Sequence, residues 1–322
     1  MALTLTDRWL WDFWFAVDGA DVHVFYLQAP RALGDPDLRH QHATIGHAVS
    51  RDLHRWHVLP DALGPGPLGA FDDLATWTGS VVRAGERWHM FYTGVSRAEH
   101  GAVQRVGRAS SPDLLTWTRH GPVLEADPRW YEKLHGAVRE EAWRDPWVWW
   151  DEPTDRFHML LTARADRGPL DGRGVIGHAT SADLEHWEAG PPVSSPGEFF
   201  HLEVPQLVHL GGLWRVLYCV TAGEHSAARL SRPGVIAHGG THYLVAEDRL
   251  GPYRLETDEF LVGDERARHY AGRMLEHDGR WHFFAWENLD DAGAFVGALS
   301  DPMPVLVSPD GTLRVGTPAR GR

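Results

Sequence analysis

Three acidic residues lie among aromatic and apolar residues at widely separated points of the sequence. Asp12 lies within Trp-Leu-Trp-Asp-Phe-Trp, Asp145 within Trp-Arg-Asp-Pro-Trp, and Glu203 within His-Leu-Glu-Val-Pro. Apolar surroundings raise the free energy of a charged carboxylate unless other groups compensate. Each acid is therefore either held in a structural ion pair or by backbone N–H groups, or retained for chemistry that uses a carboxyl group.

Five similar segments with strand-like alternation recur along the chain, and three of them follow shortly after one of these acids. The segments begin at Asp21, Arg87, Arg156, Leu213 and Arg280. Asp12 precedes the first segment by 9 residues, Asp145 precedes the third by 11, and Glu203 precedes the fourth by 10. We therefore expect the three acids to occupy one equivalent position in a repeated unit.

A second repeat lies between these segments. In the stretches 45–60, 106–123 and 176–193, an apolar strand containing Gly is followed by Ser, an Asp-Leu pair and Trp. Strand-only self-similarity with a period of roughly 40–70 residues indicates radial repetition of small sheets. The sequence predicts an all-β fold, a five-bladed β-propeller that forms a single domain over residues 1–322.

The inner strands of a propeller line a central channel, so residues that are distant in sequence meet there. Carboxylates crowded into an aromatic-lined channel cannot all ionise easily, and the pKa of at least one of them rises. A protonated acid beside an ionised carboxylate is the pair that hydrolyses glycosidic bonds. The pattern therefore predicts a site for this chemistry on the inner strands of blades 1, 3 and 4.

The composition narrows the range of partners. With 44 acidic and 31 basic residues, the net charge of −13 argues against nucleic acid, an anionic membrane surface or a polyanionic substrate. Sixteen Trp residues offer flat surfaces on which a sugar ring can stack. The first residues lack the basic region and the long apolar run of a secretion signal. We expect a cytoplasmic protein that binds a small carbohydrate.

The histidines raise the question of a metal. His40, His42 and His47 have a spacing that a metal site could use. Four other histidines recur at one place in the alternating segments, namely His23, His89, His158 and His282. This recurrence indicates blade architecture, so we expect neither a metal nor a cofactor. Cys219, the only cysteine, lies in the fourth alternating segment and is expected to pack in the core.

Several motifs together resemble the clan J glycosidases, the five-bladed propellers of glycoside hydrolase families 32 and 68 that act on β-fructofuranosides such as sucrose, inulin and levan. Residues 45–63 and 203–205 resemble family 32 motifs, and Arg-Asp-Pro at 144–146 matches a motif that both families share. Trp-Asp-Phe-Trp at 11–14 and Trp-Thr-Gly-Ser at 77–80 are closer to family 68. The C-terminal β-sandwich usual in family 32 is not expected here.

The resemblance also implies roles for particular residues. Asp12 would be the nucleophile, Glu203 the acid/base, and Asp145 a stabiliser that bonds sugar hydroxyls as charge develops. Arg144 would hold hydroxyls and orient the acid. The other substrate-binding residues that the resemblance implies are Trp11, Gln28, Trp77, Thr78 and Tyr270.

Two other functions are compatible with the same pattern. Glycoside hydrolase family 43 is a related five-bladed family that cleaves arabinosides and xylosides with inversion, using two Asp and one Glu on the inner strands. Reacting carboxyl groups about 5–5.5 Å apart favour retention, and a separation of about 6.5–9.5 Å favours inversion. A non-catalytic sugar-binding propeller is the other alternative, although loss of an acid would have marked it and all three are present.

Overall fold

Five antiparallel sheets contain nearly all the regular structure of residues 3–135 and 138–318, the part of the chain that this computed structural model describes. Blade 1 comprises β1 (Arg8–Asp18), β2 (Asp21–Pro30), β3 (Thr44–Ser50) and β4 (His57–Leu63). Blade 2 comprises β5 (Ala75–Ala84), β6 (Arg87–Val95), β7 (Gln104–Ser111) and β8 (Thr118–Leu124). Blade 3 comprises β9 (Trp143–Asp151), β10 (Arg156–Arg164), β11 (Gly174–Ser181) and β12 (Trp187–Gly190).

The last two blades complete the ring. Blade 4 comprises β13 (Glu203–Leu210), β14 (Leu213–Val220), β15 (Gly239–Ala246) and β16 (Val262–Asp264). Blade 5 comprises β17 (His269–His277), β18 (Arg280–Leu289), β19 (Phe295–Leu299), β20 (Met303–Val307) and β21 (Leu313–Val315). The inner strands β1, β5, β9, β13 and β17 contact one another in sequence, and β17 contacts β1. The predicted five-bladed β-propeller is confirmed.

Helical structure is confined to short connections in the described residues. One α-helical turn, α1 (Ala227–Leu230), follows blade 4's second strand, and four 3₁₀ segments cover Arg31–Leu33, Pro36–His42, Leu170–Gly172 and Ala222–Glu224. The longest of these has 7 residues. A helix that crosses a membrane needs about 20 apolar residues, so no helix in residues 3–135 or 138–318 could do so.

The alternating segments are the second strands of the five blades. β2, β6, β10, β14 and β18 each begin at the residue where the sequence repeat begins. Each second strand lies inside a sheet that packs between neighbouring blades, and β2 is buried along nearly its whole length. Both faces of such a strand meet apolar neighbours, which explains the short continuous apolar run in the middle of each segment, such as Val-Phe-Tyr-Leu in β2.

The Asp-Leu repeat forms the turn between the third and fourth strands of blades 1 to 3. In blade 1, Asp52 Oδ1 accepts from the backbone N–H groups of His54 and Arg55 at 2.9 and 2.7 Å. Leu53 adopts a positive φ of 63°, and Leu114 and Leu184 do the same at 63° and 65°. The repeated carboxylate is therefore the acceptor that stabilises a strained turn, and it belongs to the scaffold.

Candidate active site

A β-bulge interrupts the inner strand of every blade. The register between first and second strands shifts at the positions of Asp12, Thr78, Asp145, Val204 and Ala271. Four of these residues have a positive φ, namely Asp12 at 27°, Asp145 at 57°, Val204 at 54° and Ala271 at 49°. A bulge bends the strand and re-aims its side chains, and strained backbone of this kind clusters at functional sites.

The register shows that the three acids do not share one equivalent position. Asp12 and Asp145 are bulge residues, whereas the bulge residue of blade 4 is Val204. Glu203 pairs with the second strand one residue earlier, at the position that Arg144 holds in blade 3. The prediction of a common position is therefore wrong for Glu203.

The reason for this error is the length of one hairpin turn. In four blades the bulge residue lies 9 residues before the second strand, as Val204 does before Leu213. In blade 3 the separation from Asp145 to Arg156 is 11 residues, because the turn after Asp151 is longer by two. The acids lie 9, 10 and 11 residues before the second strands of blades 1, 4 and 3, so the sequence suggests one common position for them. The longer turn in blade 3 hides the fact that Glu203 lies one residue before the bulge.

All five blades border a single cavity of about 800 Å³. It brings together eight of the nine residues proposed from the sequence, namely Trp11, Asp12, Trp77, Thr78, Arg144, Asp145, Glu203 and Tyr270. Lining residues that sequence reasoning did not assign to a sugar site include Arg39, His40, Glu140, Phe200, His201, Glu224, Trp286 and Asn288. The cavity is thus acidic and aromatic at once.

Gln28 is the sequence-proposed residue that the structure does not bring into the cavity. Its side chain is 2% exposed and donates to Thr44 Oγ1 on the neighbouring strand at 3.3 Å. Leu27, the preceding residue on β2, lines the cavity instead. Successive strand residues face opposite sides, so Leu27 faces the cavity and Gln28 faces away from it.

Asp12 is partly buried at the cavity wall, beside a single hydroxyl donor. Thr78 Oγ1 donates to Asp12 Oδ2 at 2.5 Å, which links blade 2 to blade 1. Burial, followed by the negative charges of Asp145 and Glu203, raises the pKa of Asp12 to about 7, although the Thr78 hydrogen bond opposes the shift. The carboxyl group of Asp12 therefore changes charge near neutral pH.

Asp145 is fixed by contacts from three blades. Its Oδ2 atom accepts from Thr162 Oγ1 at 2.7 Å and from the backbone N–H of Val204 at 3.1 Å. Its own backbone N–H donates to Thr93 Oγ1 at 3.0 Å. These bonds hold the carboxylate in one orientation at the junction of blades 2, 3 and 4.

Glu203 has a donor at each carboxyl oxygen. Arg144 Nη2 donates to Oε1 at 2.7 Å, and the Tyr270 hydroxyl donates to Oε2 at 2.5 Å. Burial, and after it the negative charge of Glu224, raises the pKa of Glu203, while Arg144 and His201 oppose the shift. Glu203 is consequently suited to carry a proton that it can donate.

The guanidinium of Arg144 has two further hydrogen bonds besides its bond to Glu203. Its Nη1 atom donates to Gln104 Oε1 and to Glu140 Oε1, both at 2.9 Å. Burial lowers the pKa of Arg144, but the charges of Glu140, Glu203 and Asp145 outweigh burial and raise it. Arg144 therefore remains a cation whose direction is set by the second blade and by Glu140.

Arg273 is a buried cation close to the acids that sequence reasoning missed. It is 0% exposed on β17 and donates to the backbone oxygens of Phe13 at 3.3 Å and Pro205 at 2.6 Å. Its charge lowers the pKa of Asp12, and burial lowers the pKa of Arg273 itself to about 10. An Arg in the otherwise apolar segment Tyr-Ala-Gly-Arg-Met-Leu was the available signal.

The three histidines with metal-like spacing lie in different surroundings. His40 lines the cavity, while His42 is exposed and its Nδ1 atom lies 3.0 Å from Leu38 O. His47 is buried, with Nε2 2.8 Å from His23 Nδ1. A different group of three residues could in principle hold a metal ion. One ligand atom from each of His201, Glu203 and Glu224 lies within 4.8 Å of the others.

Hydrogen bonds account for that trio without an ion. Both oxygens of Glu203 accept from Arg144 and Tyr270, as described above. Glu224 Oε2 accepts from the backbone N–H and the hydroxyl of Thr221, and Glu224 Oε1 lies 2.8 Å from His201 Nδ1. The guanidinium of Arg144 would also repel a cation at this place. We interpret the trio as a hydrogen-bonded network.

Comparisons with known proteins identify relatives of this chain. The family profile described as "Glycosyl hydrolases family 32 N-terminal domain" matches residues 16–296. The sucrose-6-phosphate hydrolase of Bacillus subtilis is 27% identical over 277 residues, which cover 84% of this chain and 52% of the relative. The enzyme of the same name from Zymomonas mobilis is 31% identical over 278 residues, covering 83% of this chain and 50% of the relative.

Solved structures show the same fold. The inulosucrase of Halalkalicoccus jeotgali bound to kestose superposes with a TM-score of 0.78 at 23% identity, covering 99% of this chain and 89% of that one. The chain spans about half the length of the two sucrose-6-phosphate hydrolases. With a family profile over most of its length and a matching propeller, the chain belongs to glycosyl hydrolase family 32.

Proposed function

We propose that the protein is a glycosidase that hydrolyses β-fructofuranosides with retention of configuration. The observation that carries the proposal is the convergence of Asp12, Asp145 and Glu203 on one cavity of about 800 Å³ bordered by Trp11 and Trp77. Membership of family 32 supports a fructoside as the substrate and weakens the family 43 alternative.

The proposed reaction has two steps with Asp12 and Glu203 in complementary roles. In the first step, Asp12 attacks the anomeric carbon of the fructosyl unit while Glu203 donates its proton to the departing glycosidic oxygen. In the second, Glu203 removes a proton from water, which attacks the same carbon and releases the Asp12 carboxylate. A sugar hydroxyl that replaces water in this step would give fructosyl transfer.

Asp145 and Arg144 would hold the fructosyl hydroxyl groups during both steps. Their orientations are fixed by Thr162, Gln104 and Glu140, so little reorganisation is needed as charge develops on the sugar. The indoles of Trp11 and Trp77 offer apolar surface to the sugar ring. These contacts support binding of a compact ketose unit in the cavity.

The charges around the cavity favour an uncharged substrate, such as sucrose or a short fructo-oligosaccharide. Five carboxyl groups line the cavity, namely Asp12, Glu140, Asp145, Glu203 and Glu224. Two arginines face them, and Arg144 is already bonded to Glu140 and Glu203. A substrate phosphate would therefore meet mainly negative charge, although the relatives named above are sucrose-6-phosphate hydrolases.

The test is a substrate panel with product identification. Purified protein is incubated with sucrose, sucrose 6-phosphate, kestose, inulin and levan, beside aryl arabinofuranosides and xylosides. We expect free fructose from sucrose and kestose, and Asp12→Asn serves as the inactive control. Cleavage of arabinosides or xylosides alone would support the inverting alternative, and binding of sucrose without cleavage would support a sugar-binding propeller. The cytoplasmic location stays a prediction.

A further inference from the structure

A second acid lies next to Glu203 and has no role in the reaction described above. Glu224 is the last residue of the 3₁₀ segment Ala222–Glu224, which follows β14. Its carboxylate lines the cavity, and one of its oxygens lies within 4.8 Å of a Glu203 oxygen and of a His201 ring nitrogen. Two carboxyl groups so close together are an unfavourable arrangement unless one of them is protonated.

Glu224 is held firmly in this position. Its Oε2 atom accepts from the backbone N–H of Thr221 at 2.8 Å and from the Thr221 hydroxyl at 3.0 Å. The Thr221 side chain in turn accepts from the Glu224 backbone N–H, which completes a capping box. The backbone geometry of this short segment therefore aims the carboxyl group, and both bonds favour its charged form.

His201 bridges Glu224 to a third acid. Its Nδ1 atom lies 2.8 Å from Glu224 Oε1, and its Nε2 atom lies 3.2 Å from Glu140 Oε1. The Nε2 atom makes no hydrogen bond within the described residues, so its contact with Glu140 is electrostatic only, and the carboxylate oxygens beside both ring nitrogens would stabilise a positive charge on His201.

The charges on the two neighbours follow from this arrangement. Burial opposes ionisation of Glu140, but Arg144 and His201 lower its pKa to about 2. Burial likewise opposes ionisation of Glu224, but the hydrogen bond and charge of His201, together with Thr221, lower its pKa. The pKa of both acids is thus lowered, and the negative charge of Glu224 beside Glu203 favours the protonated form of Glu203.

We propose that Glu224 and His201 form a positioning pair for the acid/base, in which the Glu224 carboxylate, held by Thr221, keeps a proton on Glu203 and the positive charge of His201 opposes this effect. This inference rests on the proposed function, because it concerns the residues that control proton donation by Glu203 in the proposed reaction. The other charged or titratable groups that face Glu203 are Arg144, Asp145, Tyr270, Asp12 and Cys219.

The proposal predicts that replacing Glu224 and replacing His201 shift the pH profile of activity in opposite directions. Replacing Glu224 by Gln removes a negative charge beside Glu203, so Glu203 should lose its proton at lower pH. The high-pH arm of the kcat/KM profile on sucrose, which reports the acid, should then move down by about one pH unit. His201→Gln removes a positive charge while Thr221 still holds Glu224, so the same arm should move to higher pH.

The experiment compares these two variants with wild type and with Glu152→Gln, an exposed change on a blade 3 turn. Profiles are recorded on sucrose and on an aryl β-fructofuranoside whose leaving group needs no proton. We expect opposite shifts on sucrose, and for Glu224→Gln a loss at pH 7 that is at least about 10-fold larger on sucrose than on the aryl substrate.

Two outcomes would overturn the inference. If both variants lower kcat or raise KM but leave the high-pH arm in place, Glu224 and His201 are structural or bind the leaving sugar directly. If the arm moves in the same direction in both variants, His201 is not the opposing charge. Failure of wild type to cleave any fructoside would instead contradict the proposed function, so the two failures are distinguishable.

Discussion

The hydroxyl of Thr78 donates to Asp12 Oδ2 at 2.5 Å, across the junction between blades 1 and 2. Both residues occupy the bulge of their inner strand, so equivalent positions of neighbouring blades supply an acid and its hydrogen-bond donor. Burial raises the pKa of Asp12, and this bond is the main local contact that opposes the rise. Ionisation of the Asp12 carboxyl group therefore depends on its neighbour in the next blade.

Replacing Thr78 by Val should move the low-pH arm of the activity profile. The variant loses the bond that lowers the pKa of Asp12, so the carboxyl group ionises at higher pH. Because attack requires the anion of Asp12, kcat/KM on sucrose should begin to rise at a pH about one unit higher than in wild type. Thr78→Ser keeps the hydroxyl and is the matched control. An unchanged low-pH arm in Thr78→Val would show that the bond does not tune Asp12.

Asp12→Asn should abolish activity and stabilise the fold. Turnover should fall by at least about 10³-fold because the covalent step has no replacement nucleophile. The pKa of Asp12 is about 7 in the folded protein against an ordinary value of 3.8. The folded state therefore retains a proton that the unfolded chain releases, and stability is lost as pH rises from about 4 to 7. Asn does not ionise, so the variant does not lose stability in this way as the pH rises.

The check is the difference in Tm between Asp12→Asn and wild type at two pH values. We expect the variant to melt about 3 °C or more above wild type at pH 8, with a smaller difference at pH 4.5. Asp278→Asn is the matched control, because Asp278 also has a positive φ of 50° but is exposed on a turn of blade 5. A variant less stable than wild type at pH 8 would contradict the burial of an ionisable Asp12.

The Glu203→Gln variant should lose most activity on substrates whose leaving group must be protonated. Its Oε1 and Oε2 atoms are held by Arg144 and Tyr270, so the side chain is placed for donation. We expect a loss of about 10²–10⁴-fold on sucrose and a much smaller loss on an aryl fructoside with a good leaving group. Equal losses on the two substrates would remove Glu203 from the role of general acid.

Arg273→Met should raise the pKa of Asp12 further, because the positive charge of Arg273 lowers it. The low-pH arm of kcat/KM should move to higher pH, and Arg273→Lys, which keeps the charge, should move it less. The thermal midpoint of both variants is measured as well, since Arg273 also bonds Phe13 O and Pro205 O. A destabilised Arg273→Met variant with an unchanged low-pH arm would limit Arg273 to a structural role.

The scaffold was predictable because its signals are local in the sequence. The second strand of each blade is apolar on both faces, so β2 and β6 could be located from their own residues. The turns marked by Asp52 and its repeats are likewise stabilised by bonds within a few residues. Eight of the nine proposed site residues reached the cavity because family motifs placed them on inner strands.

The remainder of the site depends on contacts between distant segments, which no local pattern encodes. Glu224 lies 21 residues beyond Glu203 in a loop, and its meeting with His201 requires blade 4 to be folded. Arg273 acquires its role because blade 5 closes against blade 1. The offset of Glu203 from the bulge position also escaped prediction, since hairpin length is free to vary in a turn such as that of blade 3.

The anomeric configuration of the first-formed fructose tests the central claim most directly. Asp12 is assigned as a nucleophile that forms a fructosyl-enzyme, so two displacements at the anomeric carbon should return the starting configuration. NMR spectra of wild-type protein with sucrose, recorded before mutarotation, should show the β-furanose first. Early appearance of the α-anomer would contradict the nucleophilic role of Asp12 and restore the inverting alternative.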